Sequence, residues 1–220
     1  MERLVMVTAI AGGGGQIGRR LCRLLAAQGD VARPLVRRVE QADELRGRSV
    51  EPVLCDLETA DVGELAAAIA GGDAVVFAAG AGPGSGPERK ETVDHLAAVR
   101  LIEAAAAAGI ARYLMVSSTG ADPNAPGDET FAVYLRAKGR ADAALAASEL
   151  DYTIVRPGPL TDAPGTGLVA VGGHVERAEI PRDDVAAVLA AALTVPETVG
   201  ATFELMAGET PIAEALAALG

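Results

Sequence analysis

The chain has 220 residues and a mass of 22.2 kDa, with 50% hydrophobic and 22% charged residues, which is typical of a globular protein and excludes a disordered chain. A net charge of -11 opposes binding to a phosphate backbone, and 3 Tyr, 3 Phe and no Trp leave little to stack on bases. No uncharged stretch offers the ~18 to 20 apolar residues of a membrane span. We therefore expect one compact domain, monomeric or homodimeric, whose partner is a small molecule, with no nucleic acid and no membrane.

The chain begins with a segment that resembles a short secretion signal, Met1-Glu2-Arg3 and an apolar run to Ala11. Such signals need roughly 15 to 30 residues, and four consecutive glycines follow here, so the run favours a buried first strand. The 2 cysteines, Cys22 and Cys55, lie far apart in apolar stretches, without a CxxC motif or a histidine cluster. This pattern is typical of a protein of the reducing cytoplasm and predicts neither a disulfide nor a metal site.

Short apolar runs alternate with Ala/Leu-rich segments of helical spacing, which predicts βαβ units. Strands are predicted near 4–11, 31–36, 50–55, 73–79, 112–118, 152–156 and 201–206, and helices over 16–28, 60–70, 92–108, 131–148, 182–193 and from Pro211. The fold class is therefore α/β, a doubly wound parallel sheet of Rossmann type in a single domain over 1–220. Irregular segments at 80–87 and 157–180 follow strands, where ligands bind in such sheets. We expect a small substrate-side region from about 157–180 and 195–220.

Three glycines at a spacing of three, Gly12, Gly15 and Gly18, follow the first strand and lead into the first helix. Glycines there let the backbone approach a pyrophosphate and let the helix pack on the strand, while the helix N-terminus offers free amides. The alternative is a plain Gly-rich turn. The predicted pyrophosphate-binding set is Gly12, Gly14, Gly15, Gln16, Ile17 and Gly18.

The second strand ends at Arg37-Arg38, where a site selecting NAD usually carries an acidic residue for the ribose 2′-hydroxyl. Guanidinium groups instead suit a 2′-phosphate, so this end predicts NADP(H) in preference to NAD(H), unless both arginines are simply solvated. After the third strand, Asp56 either meets the adenine amino group or caps the following helix.

Tyr134 and Lys138 are four residues apart in a predicted helix and so lie on one face. Such a pair is expected by chance only about 0.03 times in a chain of this composition. A Lys ammonium beside a Tyr hydroxyl favours the phenolate and makes a proton donor and acceptor usable near neutral pH. The alternative is a core Tyr with a solvated Lys. Upstream, the hydroxyls of Ser117, Ser118 and Thr119 follow a strand and either polarise a carbonyl or cap a turn.

These motifs together resemble the short-chain dehydrogenase/reductase superfamily, in particular its atypical NAD(P)H-binding, epimerase-like branch. The resemblance runs nearly the full length, through Gly12–Gly18, Arg37-Arg38, Asp56-Leu57, Ala78-Ala79-Gly80, Val116–Ser118, Tyr134–Lys138, Val155–Gly158 and Ile180–Val185. It implies that Tyr134 is the general acid/base and that Lys138 binds the nicotinamide ribose. It further implies that Thr119, or next Ser118, orients the substrate carbonyl and that Pro157-Gly158 lies beside the nicotinamide ring. Leu57, Ala78, Ala79 and Gly80 join the expected cofactor-binding set.

The chain departs from the superfamily in two places. Many members carry Asn in the fourth helix where this chain has Val93-Asp94-His95, so a proton relay through that Asn is not expected. Roughly 60 residues follow the sixth strand, fewer than sugar-nucleotide epimerases use for a substrate lobe. The substrate is therefore expected to be small or absent. His174 and Arg177, in the irregular segment over the pocket, are candidate substrate-binding residues, although loop residues of these types are often simply solvated.

The sequence leaves three functions open. The first is an NADPH-dependent oxidoreductase that transfers hydride to a small carbonyl or conjugated substrate, with Tyr134 as general acid. The second is a non-catalytic NADP(H)-binding redox sensor, which needs the glycine loop and Arg37 but not Tyr134. The third is an NAD-dependent epimerase or dehydratase acting on a sugar nucleotide, which agrees poorly with Arg37-Arg38 and the short C-terminal region.

Overall fold

The computed structural model describes residues 4–82 and 84–220; Met1-Glu2-Arg3 and, within the predicted irregular segment 80–87, Pro83 lie outside the described residues. The strands are β1 (Val7–Ala11), β2 (Val31–Val36), β3 (Val53–Leu54), β4 (Ala74–Phe77), β5 (Arg112–Val116), β6 (Asp151–Pro157), β7 (Leu160–Thr161), β8 (Leu168–Gly172), β9 (Ile180–Pro181), β10 (Ala201–Ala207) and β11 (Thr210–Pro211). The α-helices are α1 (Gln16–Ala27), α2 (Val39–Leu45), α3 (Val62–Ile69), α4 (Pro87–Arg89), α5 (Ala97–Ala107), α6 (Thr130–Ala146), α7 (Arg182–Ala192) and α8 (Ile212–Ala217).

A nine-stranded sheet forms the centre of the fold, with the strand order β11-β8-β10-β6-β5-β4-β1-β2-β3. All pairs from β3 to β10 are parallel, while β8 runs antiparallel to β10 and β11. The strand order reverses between β1 and β4, and in open α/β sheets this switch point is where a ligand binds beyond the carboxyl ends of the strands. The predicted doubly wound, Rossmann-type α/β fold is confirmed.

Helices cover both faces of the sheet, which explains why the central strands are continuously apolar. One buried cluster joins α1, α7 and α8 to residues such as Ile10, Val76 and Leu114. The other joins α3, α5 and α6 to Ala9, Val75 and similar residues on the opposite face. The side chains of successive residues in one strand therefore point into two different cores, one on each face of the sheet.

The strand predictions run too long at several ends. The first strand starts at Val7 rather than residue 4, because pairing with β2 begins at Val31 and Leu4 is 91% exposed. The third strand is reduced to Val53–Leu54, at the edge of the sheet. Pro34 occupies a position in β2 whose backbone nitrogen faces the side of this short edge strand rather than β1. Its missing N–H donor therefore leaves few backbone groups of the sheet without a partner.

Helix α2 and the strands β7, β8, β9 and β11 were not predicted. Helix α2 begins at Val39, directly after Arg38, and β7 and β8 lie inside the segment 157–180 that was predicted to be irregular. The prediction of an irregular segment was wrong at β8 because this strand forms through a partner distant in the sequence. Ala170 of β8 pairs with Met206 of β10. Such a short apolar run contains no local signal of the strand it will join.

The helix predicted from residue 92 begins earlier, at Pro87, and contains a π-helical segment over Lys90–Leu96 between α4 and α5. A π-helical turn inserts one extra residue and occurs frequently at functional sites. Here it presents Lys90 to the carboxyl side of the sheet and buries Asp94 completely. Within the described ranges, no helix combines the length and the apolar character that a membrane span requires.

Candidate active site

A cleft of about 1290 Å³ lies beyond the carboxyl ends of the parallel strands, at the switch point between β1 and β4. It brings together most of the residues predicted from the sequence, namely Gly12, Gly14, Gly15, Gln16, Ile17, Arg37, Asp56, Leu57, Ala78, Ala79, Gly80, Ser118, Thr119, Tyr134, Lys138, Pro157, Gly158 and Arg177. Gly18, Arg38 and His174 are not among the lining residues.

The glycine loop forms one wall of the cleft and has almost no spare space. Gly12 has a positive φ of 78°, and a Cβ there would lie 2.6 Å from the Cα of Ala79. A Cβ on Gly18 would overlap the carbonyl oxygen of Gly12, so Gly18 serves the packing of α1 on the loop rather than contact with a ligand.

Helix α1 opens onto the cleft without a side-chain cap and without an acidic residue in its first turn. The amides of Gln16 and Ile17 therefore stay available at the positive end of the helix dipole, and both residues line the cleft. This cradle of backbone donors fits an anionic phosphate group.

The second strand places Arg37 in the cleft, where its side chain is exposed and forms no ion pair with any described residue. A hydrogen bond from Thr92 lowers the pKa of Glu58 against the opposing effect of desolvation, and Arg89 and Arg37 lower it further. Arg38 instead occupies the N-cap of α2 and is exposed away from the cleft.

Asp56 lies at the same end of the cleft, and its Oδ1 accepts a hydrogen bond of 3.0 Å from the Glu58 amide. The carboxylate thus caps a local turn while still lining the cleft. The alternative that Asp56 caps the following helix is wrong, because Asp61 is the N-cap of α3. Contact between Asp56 and an adenine amino group stays a prediction.

Lys138 is buried at the floor of the cleft, with 3% of its surface exposed. Its Nζ donates to the carbonyl oxygen of Val116 at 3.0 Å and to that of Ala79 at 3.4 Å. The carboxylate of Asp94 lies 3.4 Å away and accepts a hydrogen bond from the Ala81 amide. Asp94, which stands where many superfamily members carry Asn, therefore holds the lysine in place.

Tyr134 lies one helical turn before Lys138 on α6 and is partly exposed to the cleft. The Nζ of Lys90 lies 5.4 Å from the centre of its ring, and the ring of Phe131 lies 5.9 Å away. Its hydroxyl forms no hydrogen bond with any residue in the described ranges, which leaves it available to a bound molecule.

The three hydroxyls after β5 have different partners. Ser117 is buried and donates to Asp142 at 2.8 Å, so its hydroxyl is committed to the interior. Burial raises the pKa of Asp142, although the Ser117 hydrogen bond and Arg156 oppose this rise. Ser118 and Thr119 donate only to backbone carbonyls, at 3.2 and 3.1 Å, and remain the candidates for contact with a substrate.

The irregular segment after β6 divides into two parts. Arg177 is exposed, lines the cleft and forms no ion pair among the described residues. The side chain of His174 is 92% exposed and lies 3.5 Å from Glu204, outside the cleft. The geometry therefore offers no support for contact between His174 and a substrate.

Several residues that line the cleft were not predicted from the sequence, namely Gln41, Glu58, Arg89, Lys90, Phe131 and Arg182. The available signal for Lys90 was compositional, since the chain contains only this lysine and Lys138. For Phe131 the signal was its position one turn before Tyr134 on the same predicted helix. The remaining residues reach the cleft through contacts that no local pattern shows.

A switch-point cleft with an uncapped helix and a Tyr/Lys pair on its floor defines a nicotinamide dinucleotide-binding Rossmann protein. Residues 12–196 match the model of a protein family described as NAD(P)H-binding, and the chain belongs to this family. The resemblance to the epimerase-like branch of the short-chain dehydrogenase/reductase superfamily is confirmed.

Similar proteins carry names of two kinds. The chain is 43% identical over 212 residues to a protein of Bacillus subtilis named as an uncharacterized sugar epimerase, covering 96% of this chain and 99% of the relative. The structure of a putative NAD-dependent epimerase/dehydratase from Bacillus halodurans has a TM-score of 0.88 at 41% identity, covering 96% of this chain and 98% of that one. An anaerobillin reductase from Escherichia coli O157:H7 has a TM-score of 0.78 at 26% identity, covering 92% and 97%.

Proposed function

We propose that the protein is an NADPH-dependent oxidoreductase that reduces a small carbonyl or conjugated substrate, with Tyr134 as the general acid. The observation that carries this proposal is the free hydroxyl of Tyr134 in the same cleft as the glycine loop and Lys138. A non-catalytic sensor does not need a free phenol beside its nucleotide. The name of the anaerobillin reductase, a structural neighbour, supports the same class of reaction.

The chain's own residues have separable roles in this reaction. The α1 amides and the glycine loop bind the pyrophosphate, and Lys138, held by Asp94, donates to the ribose. When bound, the reduced cofactor supplies the hydride that the substrate carbon accepts. Tyr134 gives its proton to the substrate oxygen as the C–O bond loses its double-bond character, and solvent then returns a proton to the phenolate. Thr119 or Ser118 donates to the same oxygen and orients it.

The preference for NADPH rests on Arg37. It is an exposed guanidinium group at the end of β2, in the cleft, with no ion-pair partner among the described residues. A 2′-phosphate would receive charge-assisted hydrogen bonds from it, whereas the 2′-hydroxyl of NAD would not gain the charge. Its neighbour Glu58 already pairs with Arg89 at 3.2 Å, which leaves Arg37 for the ligand.

The experiment is a screen of aldehydes, ketones and conjugated enones with NADPH deuterated on the nicotinamide C4. We expect loss of absorbance at 340 nm together with deuterium in the product. Tight NADPH binding without consumption by any carbonyl would overturn the proposal in favour of the sensor. Tightly held NAD that copurifies, together with isomerisation of a sugar nucleotide without net NADPH consumption, would overturn it in favour of the epimerase.

A further inference from the structure

The cleft carries far more positive charge than the acidic chain around it. Among the described residues, the basic side chains that line it are Arg37, Arg89, Lys90, Lys138, Arg177 and Arg182, against the acidic side chains of Asp56, Glu58 and Asp94. The whole chain has a net charge of -11. A positive cleft in a negative protein focuses the field on an anionic ligand.

Three of these basic residues already have carboxylate partners. Arg89 pairs with Glu58, Lys138 with Asp94, and Arg182 with Asp162 at 3.0 Å. The remaining three, Arg37, Lys90 and Arg177, form no ion pair with any described residue. Arg37 lies at the ribose end and is assigned to the 2′-phosphate above, so two positive charges still lack an anion.

Both of these charges lie near the reacting end of the cleft. Lys90 is only 9% exposed, and its Nζ lies 5.4 Å from the centre of the Tyr134 ring. Among the described residues, its ammonium group donates one hydrogen bond, to the Gly82 carbonyl oxygen at 2.9 Å. Arg177 directly precedes Ala178, whose carbonyl oxygen packs closely against Gly158 in the cleft wall. A buried ammonium without a carboxylate partner is costly, which favours a ligand that supplies one.

An apolar surface lies beside these charges. Phe131 is 61% exposed in the cleft wall, whereas the other two phenylalanines, Phe77 and Phe203, are at most 1% exposed. Its ring lies 5.9 Å from that of Tyr134. An exposed aromatic ring at a cleft mouth suits stacking with a flat, apolar part of a ligand.

We infer that the substrate is an aromatic or conjugated carbonyl compound that bears a carboxylate, with Lys90 and Arg177 binding the carboxylate and Phe131 stacking on the conjugated part. This inference rests on the proposed function and names the substrate class of the same site. Lys90 and Arg177 are then specificity residues, distinct from the proton donor Tyr134.

The test compares two aldehydes that differ in one charge, 4-formylbenzoate and its methyl ester, at saturating NADPH. The ester is the more electrophilic aldehyde, so a preference for the acid reports binding rather than intrinsic reactivity. We expect kcat/KM to be about tenfold or more higher for the acid in the parent protein, as one charge-assisted contact would give. Lys90→Gln and Arg177→Gln should each reduce this ratio severalfold, Lys90→Arg should keep most of it, and the exposed Arg48→Gln, which lies off the cleft, should leave it unchanged.

Each outcome separates the inference from the proposed function. Equal or better reduction of the ester, or a ratio that survives both Gln variants, would overturn the carboxylate assignment while leaving an NADPH-dependent reductase. Calorimetry with benzoate and benzamide on the NADPH-bound protein supplies a readout that needs no turnover. Benzoate binding that weakens in Arg177→Gln supports the carboxylate assignment even if neither of these two aldehydes is reduced. The oxidoreductase proposal fails separately, if no carbonyl in the wider screen consumes NADPH.

Discussion

Asp94 and Lys138 form an ion pair of 3.4 Å beneath the cleft, with 0% and 4% of their side chains exposed. The two residues belong to different helices, since Asp94 lies in the π-helical segment and Lys138 in α6. The pair therefore joins the wall that carries Lys90 to the wall that carries Tyr134. Its geometry fixes the distance across the candidate active site.

Asp94→Asn should keep the hydrogen bond to the Ala81 amide but leave the buried ammonium of Lys138 without its anion. Removing one partner of a buried pair costs about 3 kcal/mol of unfolding free energy or more, which urea denaturation would measure. Glu44→Gln is the matched control, because it breaks an exposed pair with Arg19 and should cost under about 1 kcal/mol. Equal losses in the two variants would contradict a structural role for the buried pair.

Arg37→Gln should weaken NADPH binding by roughly tenfold, since a charge-assisted contact with the 2′-phosphate is lost, and should leave NADH binding unchanged. Calorimetry with both nucleotides measures the ratio. Arg38→Gln removes the neighbouring charge outside the cleft and should not alter it. A parent protein that binds NADH as tightly as NADPH would remove the assignment.

Gly15 and Gly18 should respond differently to the addition of one methyl group. Gly15 has an ordinary backbone angle (φ -77°), and a Cβ added there would contact only the Gly12 carbonyl oxygen, at 3.1 Å. We therefore expect Gly15→Ala to keep the fold and to lower NADPH affinity. Gly18→Ala overlaps the loop backbone and should cost about 1 to 3 kcal/mol of unfolding free energy as well. Thermal denaturation beside a binding titration separates the two effects. Unchanged NADPH affinity in Gly15→Ala would place the phosphates elsewhere.

The two cysteines give a test that needs no substrate. Burial raises the pKa of Cys22 to about 12, and burial, Glu64 and Asp56 raise that of Cys55, which lines the cleft. Below its pKa, a thiol gains thiolate about tenfold per pH unit, so Cys55 alkylation by iodoacetamide should be slow at pH 7 and accelerate with pH. Saturating NADPH should slow it, and Cys22 should react only after unfolding. If saturating NADPH does not change the rate of Cys55 alkylation, the nucleotide leaves this part of the cleft uncovered.

The sequence was sufficient for the features that local chemistry determines. Glycine spacing after an apolar run placed Gly12 and Gly15 at the cleft, and helical periodicity placed Tyr134 and Lys138 on one face. The alternation of apolar runs with helical segments predicted the parallel, doubly wound sheet, because parallel neighbouring strands need crossover helices that cover both faces. These features need only neighbours in the chain.

Features that depend on partners far away in the sequence could not be predicted from local patterns. The pairing of Ala170 with Met206 creates β8, and the π-helical segment turns Lys90 toward Tyr134. Arg38 and His174 had the right chemistry, but their backbone positions point them away from the cleft. Location in a site depends on the direction of a side chain as much as on its type.

Whether Tyr134 donates the proton can be measured with the Tyr134→Phe variant, whose NADPH affinity and turnover are compared with those of the parent protein on a carbonyl that the parent reduces. We expect NADPH affinity to stay nearly unchanged, because the ring still packs, and kcat to fall by a factor of roughly 10² to 10⁴. Tyr152→Phe removes a hydroxyl outside the cleft and should keep the parent rate. Turnover at the parent rate in Tyr134→Phe would mean that another group donates the proton.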